Sequence, residues 1–183
     1  SAVLSLPRLA LTLGLASEHL ALVIGNSDYE SSPLKNPVND ASDMEKMLKG
    51  LGFEVISRLN ATQKQMEDAI RQFQAKLNKD SMGLFFFAGH GMQVGGVNYL
   101  IPIGAKIGQE SDIKYESVDA GRVLAAMHNA GNPLNIVILD ACRDTPFARS
   151  YRSAATGLAR LDAPRGPLAA DAPAPGAPAA DGD

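Results

Sequence analysis

One thiol and one imidazole carry most of the chemistry this sequence can offer. Cys142 is the only cysteine, and of three histidines His90 stands in a Gly-His-Gly step after the apolar run Met82 to Ala88 (MGLFFFA). Cys142 follows a second such run, Asn135 to Leu139 (NIVIL), through Asp140 and Ala141. A thiol becomes a useful nucleophile when a nearby imidazole can take or share its proton. If the two runs are neighbouring strands, both groups leave the sheet at one edge. Backbone N–H groups at Gly91 and Cys142 would then face a developing oxyanion, and Gly91 has no Cβ to block a substrate. The implied chemistry is acyl transfer. Each residue alone has a plainer role, a solitary Cys being commonly an inert core residue and a solitary His a loop residue. What raises them together is the order, His then Cys, roughly fifty residues apart at two strand ends.

The surrounding pattern supplies elements to hold such a pair. His19 to Gly25 (HLALVIG) reads as a buried strand and Asn26 to Lys35 as a turn. Asn36-Pro37 opens a helix in which Val38, Ala41, Met44, Met47, Leu48 and Leu51 recur at three- and four-residue spacing, with Gly52 as its stop. Phe53 to Ser57 is the next strand. Thr62 with Gln65 is a capping-box pattern for a second helix with Met66, Ala69, Ile70, Phe73 and Leu77 on one face. Met82 to Ala88 suits a central strand covered on both sides, and Met92 to Ile103 a small hairpin turning at Gly95-Gly96. A third helix is expected over about Ser117 to Asn129, and Asn135 to Leu139 is the last buried strand. Strands alternating with helices predict an α/β fold with a mostly parallel sheet, whose ligands bind at the carboxyl ends of the strands.

Composition narrows the partners. The chain has 183 residues, 45% hydrophobic and 20% charged, enough apolar material for one globular core. With 17 Lys plus Arg against 20 Asp plus Glu there is no basic footprint, so nucleic acid is not an expected partner. No run reaches the roughly 18 apolar residues of a membrane span, and a lone cysteine excludes an internal disulfide. No cofactor or metal is expected. Three domain segments are predicted: 1–18, where Arg8 and Leu9 to Ala16 resemble an export-signal remnant; 19–161, the globular domain; and 162–183, an Ala/Pro/Gly-rich tail expected to be largely disordered or extended. A free thiol favours a reducing, cytoplasmic interior, and the Leu-rich start keeps export open as the alternative.

Several of these segments resemble one family. Phe87-Ala88-Gly89-His90-Gly91 and Asp140-Ala141-Cys142-Arg143, with Ala21 to Asn26 and Leu34 to Asp40 upstream, look like the large-subunit region of caspase-clan cysteine peptidases, closest to bacterial paracaspase-like members. The resemblance covers about residues 20–160. It implies a three-layer caspase-hemoglobinase fold and a cysteine endopeptidase in which Cys142 is the nucleophile, His90 the general acid and base, and Gly91 part of the oxyanion hole. Asp140 stands where caspases proper have Gln, and Asp40 matches the second acidic position that paracaspases and metacaspases use for substrate. A carboxylate there would attract Arg or Lys before the scissile bond. Asp40 would also be favoured near a helix N-terminus, and Asp140 would also serve to brace a turn. The loop Met92 to Asn98 is too poor in carboxylates for calcium, so no calcium requirement is expected.

The chain departs from the family after the nucleophile, where the small-subunit part is missing and Pro173, Pro175 and Pro178 would block a central strand. The sheet edge beside Cys142 is therefore expected to be open to a partner or a second copy. Arg149, Arg152 and Arg160 in the following linker are candidate self-processing sites. The alternative to a peptidase acting on protein or peptide substrates is a catalytically weak interaction module whose site a partner chain completes.

Overall fold

A computed structural model describes residues 19–142 and 168–171. The elements run β1 (His19–Gly25), α1 (Pro37–Gly50), β2 (Glu54–Leu59), α2 (Gln63–Lys76), β3 (Met82–Val94), β4 (Val97–Leu100), α3 (Glu110–Glu116), β5 (Val118–Asp119), α4 (Gly121–Ala130), β6 (Leu134–Cys142) and β7 (Leu168–Asp171). Strands β2, β1, β3, β6 and β7 are hydrogen-bonded side by side, all parallel. Beyond its pairing with β1 and β6, β3 continues as an antiparallel ribbon with β4, which pairs β5.

Alternation along the strands sorts the core into two faces. Leu20, Leu22, Ile24, Phe85, Phe87, Val137 and Leu139 pack with α2 and α4, through Met66, Ile70, Phe73, Val123 and Met127. On the other face Ala21, Val23, Leu84, Phe86, Ala88, Ile136 and Ile138 pack with α1, through Ala41, Met44 and Leu48. The three-layer α/β architecture follows. A third small cluster, Tyr29, Met92, Ile101 and Ile113, fills the space beneath the β3–β4 ribbon.

Local signals account for most boundaries. Pro37 occupies the first turn of α1, and the backbone N–H of Val38 donates to Ser27 Oγ at 3.1 Å, a cap lent by the loop after β1. The Thr62/Gln65 capping box opens α2 as predicted. Gly95 and Gly96 have φ of +56° and +82° and turn β3 into β4, the two positive values that a two-residue hairpin requires.

Three expectations are corrected. The strand predicted to stop at Ala88 runs on through Gly-His-Gly to Val94, Gly89 taking φ +156° as the strand exchanges its neighbours β1 and β6 for β4. The helix expected over 117–129 is α4 over Gly121–Ala130; Val118 instead pairs Leu100, and Asp119 Oδ1 accepts the Gly121 N–H at 2.7 Å to start the helix. Ahead of it lies α3, unforeseen because only Ile113 of its seven residues is buried. The tail assigned to disorder contains β7, parallel to β6 from Ile136–Leu168 to Leu139–Asp171, so the edge expected to be open is occupied there; the strand ends before the first blocking proline, Pro173.

The end of β1 lies so close to α1 that a Cβ on Gly25 would be 2.5 Å from both Ala41 Cβ and the Pro37 carbonyl oxygen. Replacing Gly25 with Ala forces the helix off the sheet, an overpacking cost of about 1–3 kcal/mol. Gly50, at the end of α1, has nothing within 4 Å of an added Cβ, so Gly50→Ala is expected to be neutral or to stabilise by up to ~1 kcal/mol. Thermal unfolding of the two variants beside the parent chain checks both.

Candidate active site

The parallel ladder between β3 and β6 sets His90 directly across from Cys142, the last of an unbroken series that begins at Met82 and Leu134. Both residues sit at the carboxyl end of the sheet. On β3 His90 continues the row Leu84, Phe86, Ala88 toward the α1 face, and on β6 Asp140 continues Ile136 and Ile138.

His90 is fully buried. Its Nε2 is 2.8 Å from the Ser32 carbonyl oxygen, and since a carbonyl only accepts, Nε2 carries the proton of the neutral ring. Nδ1 is then the basic nitrogen, and it is buried with no hydrogen-bond partner among the described residues. Burial pushes the imidazole pKa below its ordinary value, opposed in part by the bond to Ser32. Neutral His90 therefore presents one lone pair that none of the described residues consumes, the state a general base needs.

The main chain of His90 is held as well. Its N–H donates to Tyr29 Oη at 3.0 Å, Tyr29 Oη donates to the Ile101 carbonyl at 2.9 Å, and the Ile101 N–H donates back to the His90 carbonyl at 3.0 Å. The last bond makes Gly91 and Leu100 a pair whose own peptide groups point away from each other. The Gly91 N–H is thus turned to the β6 side, the side of Cys142.

Asp40 and Asp140 come near each other although one is in the first turn of α1 and the other near the end of β6. The Asp40 carboxyl is raised above its ordinary pKa by partial burial first, then by the charge of Asp140 and that of Asp43. Both aspartates are exposed. Two mutually repelling, accessible carboxylates are suited to a cation, which relieves the repulsion on binding. Among the described residues there is no cluster of three or more His, Cys, Asp or Glu that could hold a metal ion. Arg149, Arg152 and Arg160 lie outside the described residues.

Two contributors escaped sequence reasoning. Ser32 acts through its backbone carbonyl, which no side-chain pattern reveals. Tyr29 is one residue after Asn26-Ser27-Asp28, and only its place beneath His90 distinguishes it from an ordinary loop aromatic.

Comparison with known proteins points the same way. The caspase domain model matches residues 18–180. Human mucosa-associated lymphoid tissue lymphoma translocation protein 1 is 33% identical over 130 residues, 70% of this chain and 15% of that protein; its Mus musculus homolog matches equally. Caspase a of Danio rerio is 27% identical over 147 residues, 74% of this chain and 36% of its own. The chain thus spans between about a seventh and a third of these relatives. A solved structure of a Geobacter sulfurreducens protein shares the fold with a TM-score of 0.55 at 20% identity, covering 69% of this chain and 51% of the other.

The carboxylate pair has a signature in stability. A raised folded pKa means that ionised Asp40 costs stability once the pH exceeds that pKa, whereas below the unfolded value of 3.8 the cost is absent. Between pH 3 and pH 7 the melting temperature of Asp40→Asn should therefore move upward relative to the parent chain. The shift should correspond to about 0.5 kcal/mol or less at this exposed site. A constant difference across that range would mean that the Asp40 pKa is not raised.

Proposed function

The chain belongs to the caspase-domain family of cysteine peptidases, and from that membership we propose that it is an endopeptidase cleaving after Arg or Lys through Cys142 and His90. The observation that carries the proposal is the cross-strand register of His90 with Cys142, together with an imidazole whose Nε2 is tied to Ser32 and whose Nδ1 is left to exchange a proton.

In the proposed sequence His90 Nδ1 takes the thiol proton and the Cys142 sulfur attacks the substrate carbonyl. The Gly91 N–H stabilises the developing oxyanion. The imidazolium returns its proton to the leaving amine, whose C–N bond breaks to give a thioester. Water, deprotonated by the same nitrogen, hydrolyses that thioester and restores the thiol. Asp40 and Asp140 receive the guanidinium or ammonium of the residue before the cut. Burial that lowers the imidazole pKa supports this role, because it keeps the base unprotonated at neutral pH.

Hydrolysis of Arg-aminocoumarin peptides, with Asp- and Ala-terminated peptides as controls, tests the proposal. Cys142→Ala should abolish turnover, and His90→Ala should lower kcat by roughly 10²–10⁴-fold. Asp40→Asn and Asp140→Asn should each lower kcat/KM for Arg by about tenfold or more, the worth of a charge-assisted hydrogen bond, with the Ala peptide unaffected. For Arg substrates kcat/KM should fall as the pH drops through the raised pKa of Asp40, since its protonated carboxyl no longer attracts a cation. An inactive parent chain, in which a thiol reagent labels Cys142 no faster than free cysteine, would establish the interaction-module alternative instead.

A further inference from the structure

Beside the proposed dyad sits a residue that the chemistry above does not use. Tyr29, in the loop after β1, is 7% exposed and lies against His90 with ring centroids 4.4 Å apart at an angle of 51°. Its hydroxyl accepts the His90 N–H and donates to the Ile101 carbonyl, which also accepts from Asn26 Nδ2 at 3.2 Å. The Ile101 N–H closes the ring of bonds on the His90 carbonyl. The loop also carries Ser32, whose carbonyl orients the imidazole. One short segment therefore grips both the backbone and the ring of His90.

The neighbouring glycine is shaped to admit that grip. A Cβ on Gly89 would lie 2.7 Å from Tyr29 Oη and 2.9 Å from the Phe87 ring, and the backbone there has φ +156°. An L side chain at position 89 and the tyrosine hydroxyl compete for one space. The bond from His90 N–H to Tyr29 Oη also falls where β3 exchanges β1 for β4, so that neither strand's ladder takes this amide. Without the hydroxyl, the buried backbone donor of His90 itself would be orphaned.

We propose that Tyr29 is a positioning residue for His90: through its hydroxyl it fixes the strand at the point where the imidazole leaves it, and through its ring it covers one face of that imidazole. The proposal rests on the peptidase role given above, in which His90 must meet Cys142 at a fixed angle. Misplacement of a general base by a fraction of its own size costs rate rather than binding. Access of water to the uncovered imidazole would favour its charged form.

The test compares the parent chain with Tyr29→Phe, which keeps the ring and removes both hydroxyl bonds, and Tyr29→Leu, which also uncovers the imidazole. Arg-peptide hydrolysis should show kcat about tenfold lower in Tyr29→Phe with KM within about twofold, and a larger loss in Tyr29→Leu. The His90 titration midpoint, read by NMR of the imidazole carbon protons, should rise toward the ordinary 6.5, most in Tyr29→Leu. The loop carries Asp28, Glu30 and Lys35, the first turn of α1 Asp40, β6 Asp140 and Cys142, and β4 Tyr99; all are retained in both variants, so the change reports position 29 alone. Unchanged kcat, or kcat and KM altered in equal measure with an unmoved midpoint, overturns the proposal. A parent chain that hydrolyses nothing, but whose His90 midpoint moves in the variants, removes the peptidase role and leaves the hold of Tyr29 on the imidazole standing. Should the substitutions prevent folding, site-specific 3-fluorotyrosine at position 29 keeps the shape and alters only the strength of the hydroxyl. It must then move kcat and the midpoint, and failure to move either overturns the proposal.

Discussion

Parallel pairing of β3 with β6 is the constraint on which the rest of the molecule turns. The two strands are distant in sequence, and α3, β5 and α4 intervene between β4 and β6, yet their register runs without a slip from the amino end of the sheet to His90 and Cys142. A shift of one residue would reverse the faces of every side chain on β6, burying Asp140 among apolar groups and turning Ile138 to the wrong layer. Core packing and site geometry thus demand the same alignment. Ile136 and Ile138 on one face, and Val137 and Leu139 on the other, are what fix the position of the last three residues of the strand.

The same economy holds for α1. Its burial against β1 through Ala41 and Leu48 is ordinary core packing, but the close approach at Gly25 also determines where the first turn of the helix ends up, and with it Asp40. Ionised Asp40 is unfavourable, because partial burial and then the charges of Asp140 and Asp43 raise its pKa. Groups that repel one another at a sheet's carboxyl edge are poor contributors to stability, and the proposed specificity would have a cationic side chain relieve that repulsion. His90 is comparable: a buried lone pair with no donor among the described residues is costly, and the bonds to Ser32, Tyr29 and Ile101 hold the residue in place.

Much of this was legible in the sequence because it is written in side-chain periodicity. The buried runs of β1, β3 and β6, the inner residues Ala41, Met44 and Leu48 of α1, and the Thr62/Gln65 box of α2 each have a short-range physical cause, whereas Met47 and Leu51 of the same apolar series are exposed. What escaped has a different origin. The β3 strand outlasted its apolar run because extended pairing with β4 tolerates glycine, so the punctuation at Gly89 and Gly91 marked a change of neighbours rather than an end. β7 was hidden by composition, since four residues of Leu-Ala-Ala-Asp gain their strand character only from the edge of β6. The Ser32 carbonyl and the Tyr29 hydroxyl are tertiary facts: a backbone acceptor has no letter of its own, and one tyrosine in a loop looks like any other. Of the site, the residue types were readable and their supports were not.

Gly89 and Tyr29 share a single volume, and that has a consequence for inheritance. A hydroxyl and a methyl group cannot both occupy the space beside the Phe87 ring, so a change at either position alone meets a clash or leaves a hole. The two sites form one mutational unit, and divergence along this lineage would have to pass through paired substitutions. Where the tyrosine hydroxyl is lost, position 89 gains room for a side chain, so the two residues should change together.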